Sequence, residues 1–512
     1  MMLLPALLSL VSGALLPAAF APFDFKFAAV ACPMALALIL RHKTPRQAAW
    51  LSWLFGLGLF GTGVSWVFVS IHVHGPAPVW LAAFLTALFV MGIALFTALQ
   101  GWFFATLSGQ SGFTQGLRYL LLFSAVWVLG EWFRTWFLSG FPWLFLGHSM
   151  LKTPLAGFAP IGGIYLVSFS VLVLGSLLLT LAAHFRSSDR QPQKVLALLL
   201  GLTLLIGTGQ TLYGVDWTHP ENRELSVGLV QPNIPQEDKW VPDQQLPQIR
   251  KILSLHRQLT DQDIVIWPET ALPLFLAQAG PVLDELDQQG KADRQAILLG
   301  ILSAERDAAS PVETPRYHIY NSFLATGNGE GLYHKQRLVP FGEYVPFASA
   351  LRGLIQFFDL PMSDMASGGS QQTLLTAGAY HFMPFICYEI VYPDLVAAHA
   401  SEADFLVTVS NDTWFGASAG PLQHLQMAQM RALENQKPLL RGTNNGVTAI
   451  INYQGEITDR LPQFEAGVLR STFTPRTGST PFNLNGSWPV ILMLLLQVSL
   501  PVILRKYNPS QR

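Results

Sequence analysis

Long apolar runs dominate the first part of the chain. Each approaches the roughly 20 residues that a helix needs to cross about 30 Å of hydrocarbon, and one more run follows near the C-terminus. The runs cover residues 3–22, 27–41, 49–71, 78–106, 118–138, 160–184, 195–213 and 488–504. This pattern predicts seven transmembrane helices, a long polar region and an eighth transmembrane helix.

Acidic residues mark the limits of the polar region. Only three of them precede residue 213, whereas the other 29 of the 32 fall between residues 215 and 465. Acidic side chains are costly inside a bilayer, so this distribution separates a soluble region from membrane segments. We predict a membrane domain over 1–213, a soluble domain over 214–485, and a last helix with a tail over 486–512.

The soluble region alternates short β-rich runs with helical stretches. This alternation is typical of a layered α/β domain. The predicted strands are 226–230, 264–266, 296–301, 321–325, 381–387, 405–409, 448–451 and 468–470. The predicted helices are 246–261, 282–289, 391–400 and 421–436.

The composition narrows the classes of function. Hydrophobic residues make up 51% of the 512 and charged residues only 12%, which is typical of neither a disordered nor a wholly soluble chain. Lys and Arg (31) balance Asp and Glu (32), so no overall basic field points to nucleic acid. Two cysteines exclude a disulfide framework and a four-cysteine metal site, and we expect no metal.

Basic clusters predict the orientation in the membrane. They follow the second, sixth and eighth apolar runs, within residues 41–46, 186–194 and 505–512. Short loops rich in Lys and Arg remain in the cytoplasm. We therefore expect the C-terminus in the cytoplasm and the soluble domain on the outer face.

Two signals inside the apolar runs have competing interpretations. Gly56, Gly58 and Gly61 match a dinucleotide-binding spacing, but no strand precedes them, which favours close helix packing through small residues. Glu131 and Arg134 are ionisable residues inside a predicted span. Their spacing allows a mutual salt bridge, and contact with a lipid head group is the alternative.

A single thiol stands out in the soluble domain. Cys32 falls inside a predicted span, whereas Cys387 ends a predicted strand, so the two are not expected to meet. A free thiol in an oxidising compartment is either buried and inert or has a task. Residues 384–389 place Cys387 where a strand turns toward a helix, which exposes a side chain and offers the next backbone N–H as an oxyanion donor.

Two further segments supply the partners that a nucleophilic thiol needs. A thiol requires a base near neutral pH and a cation to stabilise the charge that forms on attack. Glu269 follows a predicted buried strand, and residues 333–343 contain Lys335 and a second carboxylate, Glu343. These residues are candidates for base, cation and supporting carboxylate.

The order Glu269, Lys335, Cys387 resembles the Cys–Glu–Lys enzymes of the nitrilase superfamily. Residues 410–416, 431–435 and 441–446 continue the resemblance in the same order. It implies a four-layer αββα sandwich, a catalytic triad made of these three residues, and a position beside the triad for Glu343.

Together with the membrane runs, the soluble domain is similar to the apolipoprotein N-acyltransferase family. Residues 231–236, 339–346 and 387–389 carry this resemblance. It implies transfer of an acyl chain from a membrane phospholipid to the N-terminal α-amine of an S-diacylglyceryl-cysteine lipoprotein, through a thioester on Cys387 and without a cofactor. It also implies a bacterial inner-membrane protein with a periplasmic catalytic domain.

Further residues are weaker candidates. Tyr388 and Glu389 flank the thiol and are expected to support the site. Trp240 either contacts lipid or packs on the surface. Phe357 and Phe358 lie in an apolar stretch that precedes a glycine-containing segment, so residues 351–370 form either a lid that admits lipid or a plain packed helix.

Two other functions compete with acyl transfer. A membrane-tethered amidase or carbon–nitrogen hydrolase would use the same triad and let water resolve the thioester. A transporter or receptor with a ligand-binding outer domain would have no need for Glu269, Lys335 and Cys387 as a set.

Overall fold

The protein divides into two compact units. A computed structural model describes residues 2–75, 77–111, 115–187, 191–308, 310–311, 315–346 and 364–507. The first unit comprises Met1–Phe68, Val79–Val215 and Asn485–Arg512, and the second comprises Val69–Pro78 and Asp216–Leu484. Residues 69–78 therefore group with the second unit, although the sequence analysis placed them in the membrane domain.

The first unit is helical. Its helices are Leu3–Leu15, Phe27–Ile39, Pro45–Gly63, Trp66–Val69, Val79–Ser111, Gly116–Trp136, Ala159–Arg186, Pro192–Tyr213 and Trp488–Tyr507. Among the described residues, four continuous helical segments are long and apolar enough to cross a membrane, and a bent pair near residue 64 brings the number to as many as five. Three apolar helices are shorter: Leu3–Ala19, Phe27–Ile39 and Trp488–Leu500. Helices occupy all eight predicted runs, but the number of spans stays a prediction.

Glycines bring two helix pairs into close contact. A Cβ on Gly58 would lie 2.2 Å from the Leu10 carbonyl oxygen, and one on Gly56 would lie 2.1 Å from Thr97 Oγ1. Neither distance is sterically possible, so these positions require glycine. The structure confirms helix packing as the role of Gly56 and Gly58, whereas a Cβ on Gly61 would meet nothing closer than 4.0 Å.

Glu131 and Arg134 are both buried. Glu131 Oε1 accepts hydrogen bonds from Trp127 Nε1 at 3.0 Å and from the Leu146 main-chain N–H at 2.9 Å. Arg134 donates to the Trp143 carbonyl oxygen at 2.9 Å. Protein groups surround both charges, which favours a structural role over contact with a lipid head group.

The described residues of the second unit form fourteen strands. They are β1 (Thr218–Pro220), β2 (Leu225–Gln231), β3 (Ile264–Ile266), β4 (Ala296–Arg306), β5 (Tyr317–Gly327), β6 (Gly329–His334), β7 (Leu375–Ala377), β8 (Tyr380–Ile386), β9 (Phe405–Ser410), β10 (Leu439–Thr443), β11 (Ala449–Ile451), β12 (Ile457–Arg460), β13 (Gly467–Phe473) and β14 (Arg476–Gly478). Twelve are hydrogen-bonded in the order β12-β11-β10-β9-β8-β7-β6-β5-β4-β3-β2-β13, and β1 pairs with β14. The runs β2-β3-β4 and β8-β9-β10 are parallel.

The twelve-stranded sheet has two halves that face each other. The first half contains β2, β3, β4, β5 and β13, and the second contains β8 to β12. A Cβ on Gly442 of β10 would lie 3.3 Å from Ile266 of β3, which places the two central strands in contact. Helices Pro242–His256 and Gly280–Asp293 cover the first half. Helices Pro393–Ala400 and Gly420–Asn435 cover the second half. This arrangement confirms the predicted αββα sandwich.

Each of the eight predicted strands overlaps an observed strand, and the four predicted helices overlap these four helices. Strands β1, β6, β7, β10, β12 and β14 were not predicted. The missed strand β10 is buried throughout, including Arg441 at its centre. A strand buried on both faces has no alternation of apolar and polar residues, so its sequence carries little signal.

Candidate active site

Cys387 lies in a tight turn directly after β8. The predicted strand included this residue, but β8 ends at Ile386 and a 3-10 turn, Cys387–Val391, follows. Cys387 has φ of +53°, in the left-handed region that non-glycine residues rarely adopt. This conformation turns the chain at Cys387, a half-buried residue whose neighbours on both sides are buried. The side chain is thereby presented at the end of a parallel strand.

Glu269 follows β3 and approaches the neighbouring strand closely. A Cβ on Gly300 of β4 would lie 2.7 Å from the Glu269 Cα, so only glycine fits there. Glu269 Oε2 accepts a hydrogen bond from the Asn411 main-chain N–H at 2.8 Å. The main chain thus fixes the carboxylate in place.

Lys335 joins two carboxylates. Its Nζ lies 2.8 Å from Glu343 Oε1 and 3.7 Å from Glu269 Oε1. Asn321 Nδ2 donates to Glu269 Oε1 at 2.8 Å and to Glu343 Oε1 at 3.0 Å. All four side chains are buried. The structure therefore brings Glu269, Lys335 and Glu343 together, as the sequence predicts.

The carboxylates keep Lys335 charged. Burial alone would lower the pKa of the ammonium group, but Glu343 and Glu269 outweigh this effect and raise the pKa above its ordinary value. Lys335 is consequently a permanent cation at the site, available to stabilise negative charge.

The charges of this cluster act on the Cys387 thiol. Burial and the Glu269 carboxylate raise the pKa of the thiol well above its ordinary value, while Lys335 acts in the opposite direction. The thiol is therefore neutral at neutral pH. Such a thiol becomes nucleophilic when a base removes its proton during attack.

Glu389 ties the cysteine turn to the lysine segment. Its two carboxylate oxygens accept from Ile386 N at 2.8 Å, Gln336 N at 2.6 Å and the Tyr333 hydroxyl at 2.8 Å. Burial raises the pKa of Glu389 to about 7. Tyr388 is buried, with its ring 5.4 Å from that of Tyr392. Both predicted flanking residues thus lie in the framework around the thiol.

Of the three predicted lipid-contact residues, the structure describes Trp240. Trp240 is half-buried and follows a buried lysine, Lys239, whose Nζ donates to the Glu269 carbonyl oxygen at 3.3 Å. Burial lowers the pKa of Lys239 to about 8. Phe357 and Phe358 lie outside the described residues, as does most of the predicted lid. Their lipid contacts stay predictions.

Sequence reasoning missed several polar residues of the site. Asn321 begins a predicted strand, and Lys239 adjoins Trp240, but neither has a local pattern that marks it as functional. A buried polar residue in an apolar strand was the available signal for Asn321, since such groups require partners. Within the described residues, no cluster of three or more His, Cys, Asp or Glu side chains is suited to a metal ion.

Comparison with known proteins covers both units. Residues 12–177 match the model of the apolipoprotein N-acyltransferase N-terminal domain, and residues 226–481 match the carbon-nitrogen hydrolase model. A solved nitrilase-superfamily structure from Saccharomyces cerevisiae aligns with a TM-score of 0.37 at 16% identity, covering 51% of this chain and 93% of that one.

Full-length relatives carry the same family name, apolipoprotein N-acyltransferase. The protein of Pseudomonas paraeruginosa is 44% identical over 99% of this chain and 97% of its own length. That of Azotobacter vinelandii is 44% identical over 98% and 95%, and that of Vibrio vulnificus is 39% identical over 95% and 94%. This chain belongs to the apolipoprotein N-acyltransferase family.

Proposed function

We propose that this enzyme transfers an acyl chain from a membrane phospholipid to the α-amine of an S-diacylglyceryl-cysteine lipoprotein, with Cys387 as nucleophile, Glu269 as base and Lys335 as the stabilising cation. The cluster in which Lys335 contacts both Glu269 and Glu343 beside the Cys387 turn carries this proposal. It supplies a nucleophile, a proton acceptor and a fixed positive charge together, which acyl transfer through a thioester requires.

The first half-reaction forms the thioester. Glu269 accepts the thiol proton as Cys387 Sγ attacks the ester carbonyl carbon of the phospholipid. Lys335 and main-chain N–H groups stabilise the oxyanion of the tetrahedral intermediate. The carbon–oxygen bond then breaks, the departing alkoxide takes the proton from Glu269, and lysophospholipid leaves.

The second half-reaction forms the amide. The lipoprotein α-amine has a pKa of about 7.7–8.0, so a useful fraction is neutral near pH 7. It attacks the thioester carbonyl carbon and loses a proton to Glu269. The carbon–sulfur bond breaks, and the thiolate recovers that proton as the N-acylated lipoprotein leaves.

Glu343 and Asn321 hold these groups in their working geometry. Glu343 Oε2 accepts from the Val339 main-chain N–H at 2.8 Å, so its carboxylate is fixed while Oε1 contacts Lys335. Asn321 bridges both carboxylates and keeps them on the same side of the ammonium group. These contacts support roles in orienting Lys335 and in keeping it charged.

The family and the apolar helices indicate an inner-membrane protein. We place the catalytic unit on the periplasmic side, because the Lys/Arg clusters favour a cytoplasmic C-terminus. Withdrawing an acyl chain from a bilayer costs about 0.8 kcal/mol per CH₂ group. A site close to the bilayer would avoid most of that cost, with Trp240 as a lipid contact and with Phe357 and Phe358 in a lid that admits lipid.

A membrane-tethered carbon–nitrogen hydrolase is the competing function, since it would use the same three residues. The ratio of acylated peptide to free fatty acid distinguishes the acyltransferase from the hydrolase. Purified enzyme is incubated with labelled phospholipid and a diacylglyceryl-cysteine peptide, and acylated peptide and free fatty acid are both quantified. We expect acylated peptide to dominate and to be lost in Cys387→Ser. Free fatty acid as the main product would favour the hydrolase, and full activity of Cys387→Ser would exclude the thioester.

A further inference from the structure

A second buried network lies behind the cysteine turn. His424, in helix Gly420–Asn435, has its Nε2 3.1 Å from the Cys387 carbonyl oxygen. Its Nδ1 lies 3.1 Å from Asp412 Oδ1 and 3.1 Å from an Arg441 guanidinium nitrogen. Arg441 also donates to Asp412 Oδ2 at 2.7 Å. These three side chains are almost completely buried and have no part in the reaction described above.

The contacts determine which ring nitrogen of His424 donates to the cysteine turn. A carbonyl oxygen only accepts, so Nε2 must carry the hydrogen that faces Cys387. Burial and the Arg441 charge lower the pKa of His424, while Asp412 acts in the opposite direction. Nδ1 lies between the Arg441 guanidinium group and Asp412 Oδ1, so Nε2 keeps its hydrogen whether the ring is neutral or charged. The network therefore fixes His424 as a donor toward the cysteine turn.

The turn needs such a donor because its backbone is strained. A non-glycine residue in the left-handed region persists only when the surrounding structure holds it there. Glu389 fixes the turn on one side through the Ile386 main-chain N–H. His424 fixes it on the other side, at the carbonyl group of Cys387 itself.

The same network reaches the base. Asp412 immediately follows Asn411, whose main-chain N–H donates to Glu269 Oε2. Asp412 begins a 3-10 turn, Asp412–Phe415, so a short segment contacts Glu269 at one residue and His424 at the next. The positions of thiol and base are therefore linked through Asp412 and His424.

We propose that His424 is a positioning residue, which holds the Cys387 carbonyl group through Nε2 and so keeps the thiol aligned with Glu269 and Lys335. This inference rests on the proposed role of Cys387 as nucleophile. A displacement of about 1 Å at a reacting group can reduce a rate by roughly 100-fold. Loss of the Nε2 contact should therefore lower kcat without weakening substrate binding.

Two amide variants separate the contacts of His424. In His424→Gln the side-chain amide reaches the Nε2 position and keeps the donor to Cys387. In His424→Asn the amide is one methylene shorter, reaches the Nδ1 position, and keeps the contacts to Asp412 and Arg441 only. Both remain polar, so they differ in reach rather than in chemical type.

We expect His424→Asn to lower kcat by about 10–100-fold with KM within about threefold of wild type, and His424→Gln to stay within about fivefold in kcat. Equal losses in both variants, a larger loss in the Gln variant, no loss in either, or failure of both to fold would overturn the inference. Thermal unfolding in detergent identifies variants that fail to fold.

Alkylation of Cys387 by iodoacetamide distinguishes failure of this inference from failure of the proposed function. It reports on the thiol itself and requires no acyl transfer. The rate should change at least about threefold in His424→Asn and match wild type in His424→Gln. Full acyl-transfer activity in a parallel Cys387→Ser sample would refute the proposed function, while unchanged alkylation in the Asn variant would refute the role of His424.

Discussion

Each unit of this protein buries a carboxylate close to a basic side chain, and the surroundings of the two clusters differ. In the first unit, Glu131 accepts from an indole and a main-chain N–H, and Arg134 donates to a main-chain carbonyl group. Aromatic rings also enclose Arg134, with Phe60 and Phe145 at 5.0 and 4.9 Å. In the second unit, Glu269 shares Lys335 with a second carboxylate beside a thiol.

This difference separates a buried charge to which we assign a structural role from one to which we assign a catalytic role. A buried charge requires compensating hydrogen bonds or opposite charges wherever it occurs. Burial by itself therefore does not indicate that a charged residue is catalytic. The partners of Glu131 are hydrogen-bond donors that help to hold helices together. In the mechanism that we propose, Glu269 instead accepts the thiol proton, while Lys335 remains available for the charge that then develops.

The largest expected effect comes from removing the base. Glu269→Gln keeps the size of the side chain and one of its two acceptor oxygens but cannot accept the thiol proton. General base catalysis is worth typically 10²–10⁴-fold, so kcat for acylation should fall by about that factor. The measurement is the rate of thioester formation in a single-turnover assay with labelled phospholipid.

Glu131→Gln is the matched control in the first unit. It makes the same chemical change at a carboxylate to which we assign only a structural role. The free energy of unfolding should fall by about 1–3 kcal/mol, with activity per folded molecule nearly unchanged. An activity loss as large as that of Glu269→Gln would remove the distinction between the two clusters.

Removing the cation should have the next largest effect. Lys335→Met keeps a long side chain but leaves the oxyanion without its positive partner. Loss of one oxyanion stabiliser typically costs about 10²–10³-fold in kcat. Lys437→Met is the control, because Lys437 is also buried in this unit but donates to the Arg476 carbonyl oxygen, away from the triad. Equal losses in the two variants would indicate a general effect of removing buried charge.

A further prediction concerns the pH dependence of the thiol. Burial and Glu269 raise its pKa, so the thiolate fraction is small at neutral pH and grows with pH. Alkylation of Cys387 by iodoacetamide should therefore accelerate roughly tenfold per pH unit from pH 6 to above 9. Mass spectrometry assigns the label to Cys387 rather than Cys32. A plateau below pH 8 would mean that the thiolate is already stable in the resting enzyme.

The residues that sequence analysis could identify have local signals. Cys387 and Glu269 follow apolar strands, and Lys335 and Glu343 share one segment, so strand ends and motif order were sufficient to propose the set. The alternation of strands and helices predicted a layered α/β domain, and the resemblance to the nitrilase superfamily implied the αββα sandwich.

The missed residues acquire their roles only from the tertiary structure. Asn321 lies within β5, and nothing nearby in sequence shows that it bridges Glu269 and Glu343. His424 lies 37 residues beyond Cys387 and meets it through packing of its helix on the sheet. Gly300 matters because β4 passes close to Glu269. Such contacts depend on the pairing of distant strands, which one sequence does not reveal.

The most direct test is the covalent state of Cys387 after exposure to phospholipid. Purified enzyme is incubated with phospholipid in the absence of a lipoprotein acceptor and analysed by intact and peptide mass spectrometry. We predict an added acyl mass on Cys387 that hydroxylamine removes, that a diacylglyceryl-cysteine peptide discharges, and that Cys387→Ser lacks. An enzyme that completes acyl transfer without ever carrying this adduct would contradict the mechanism.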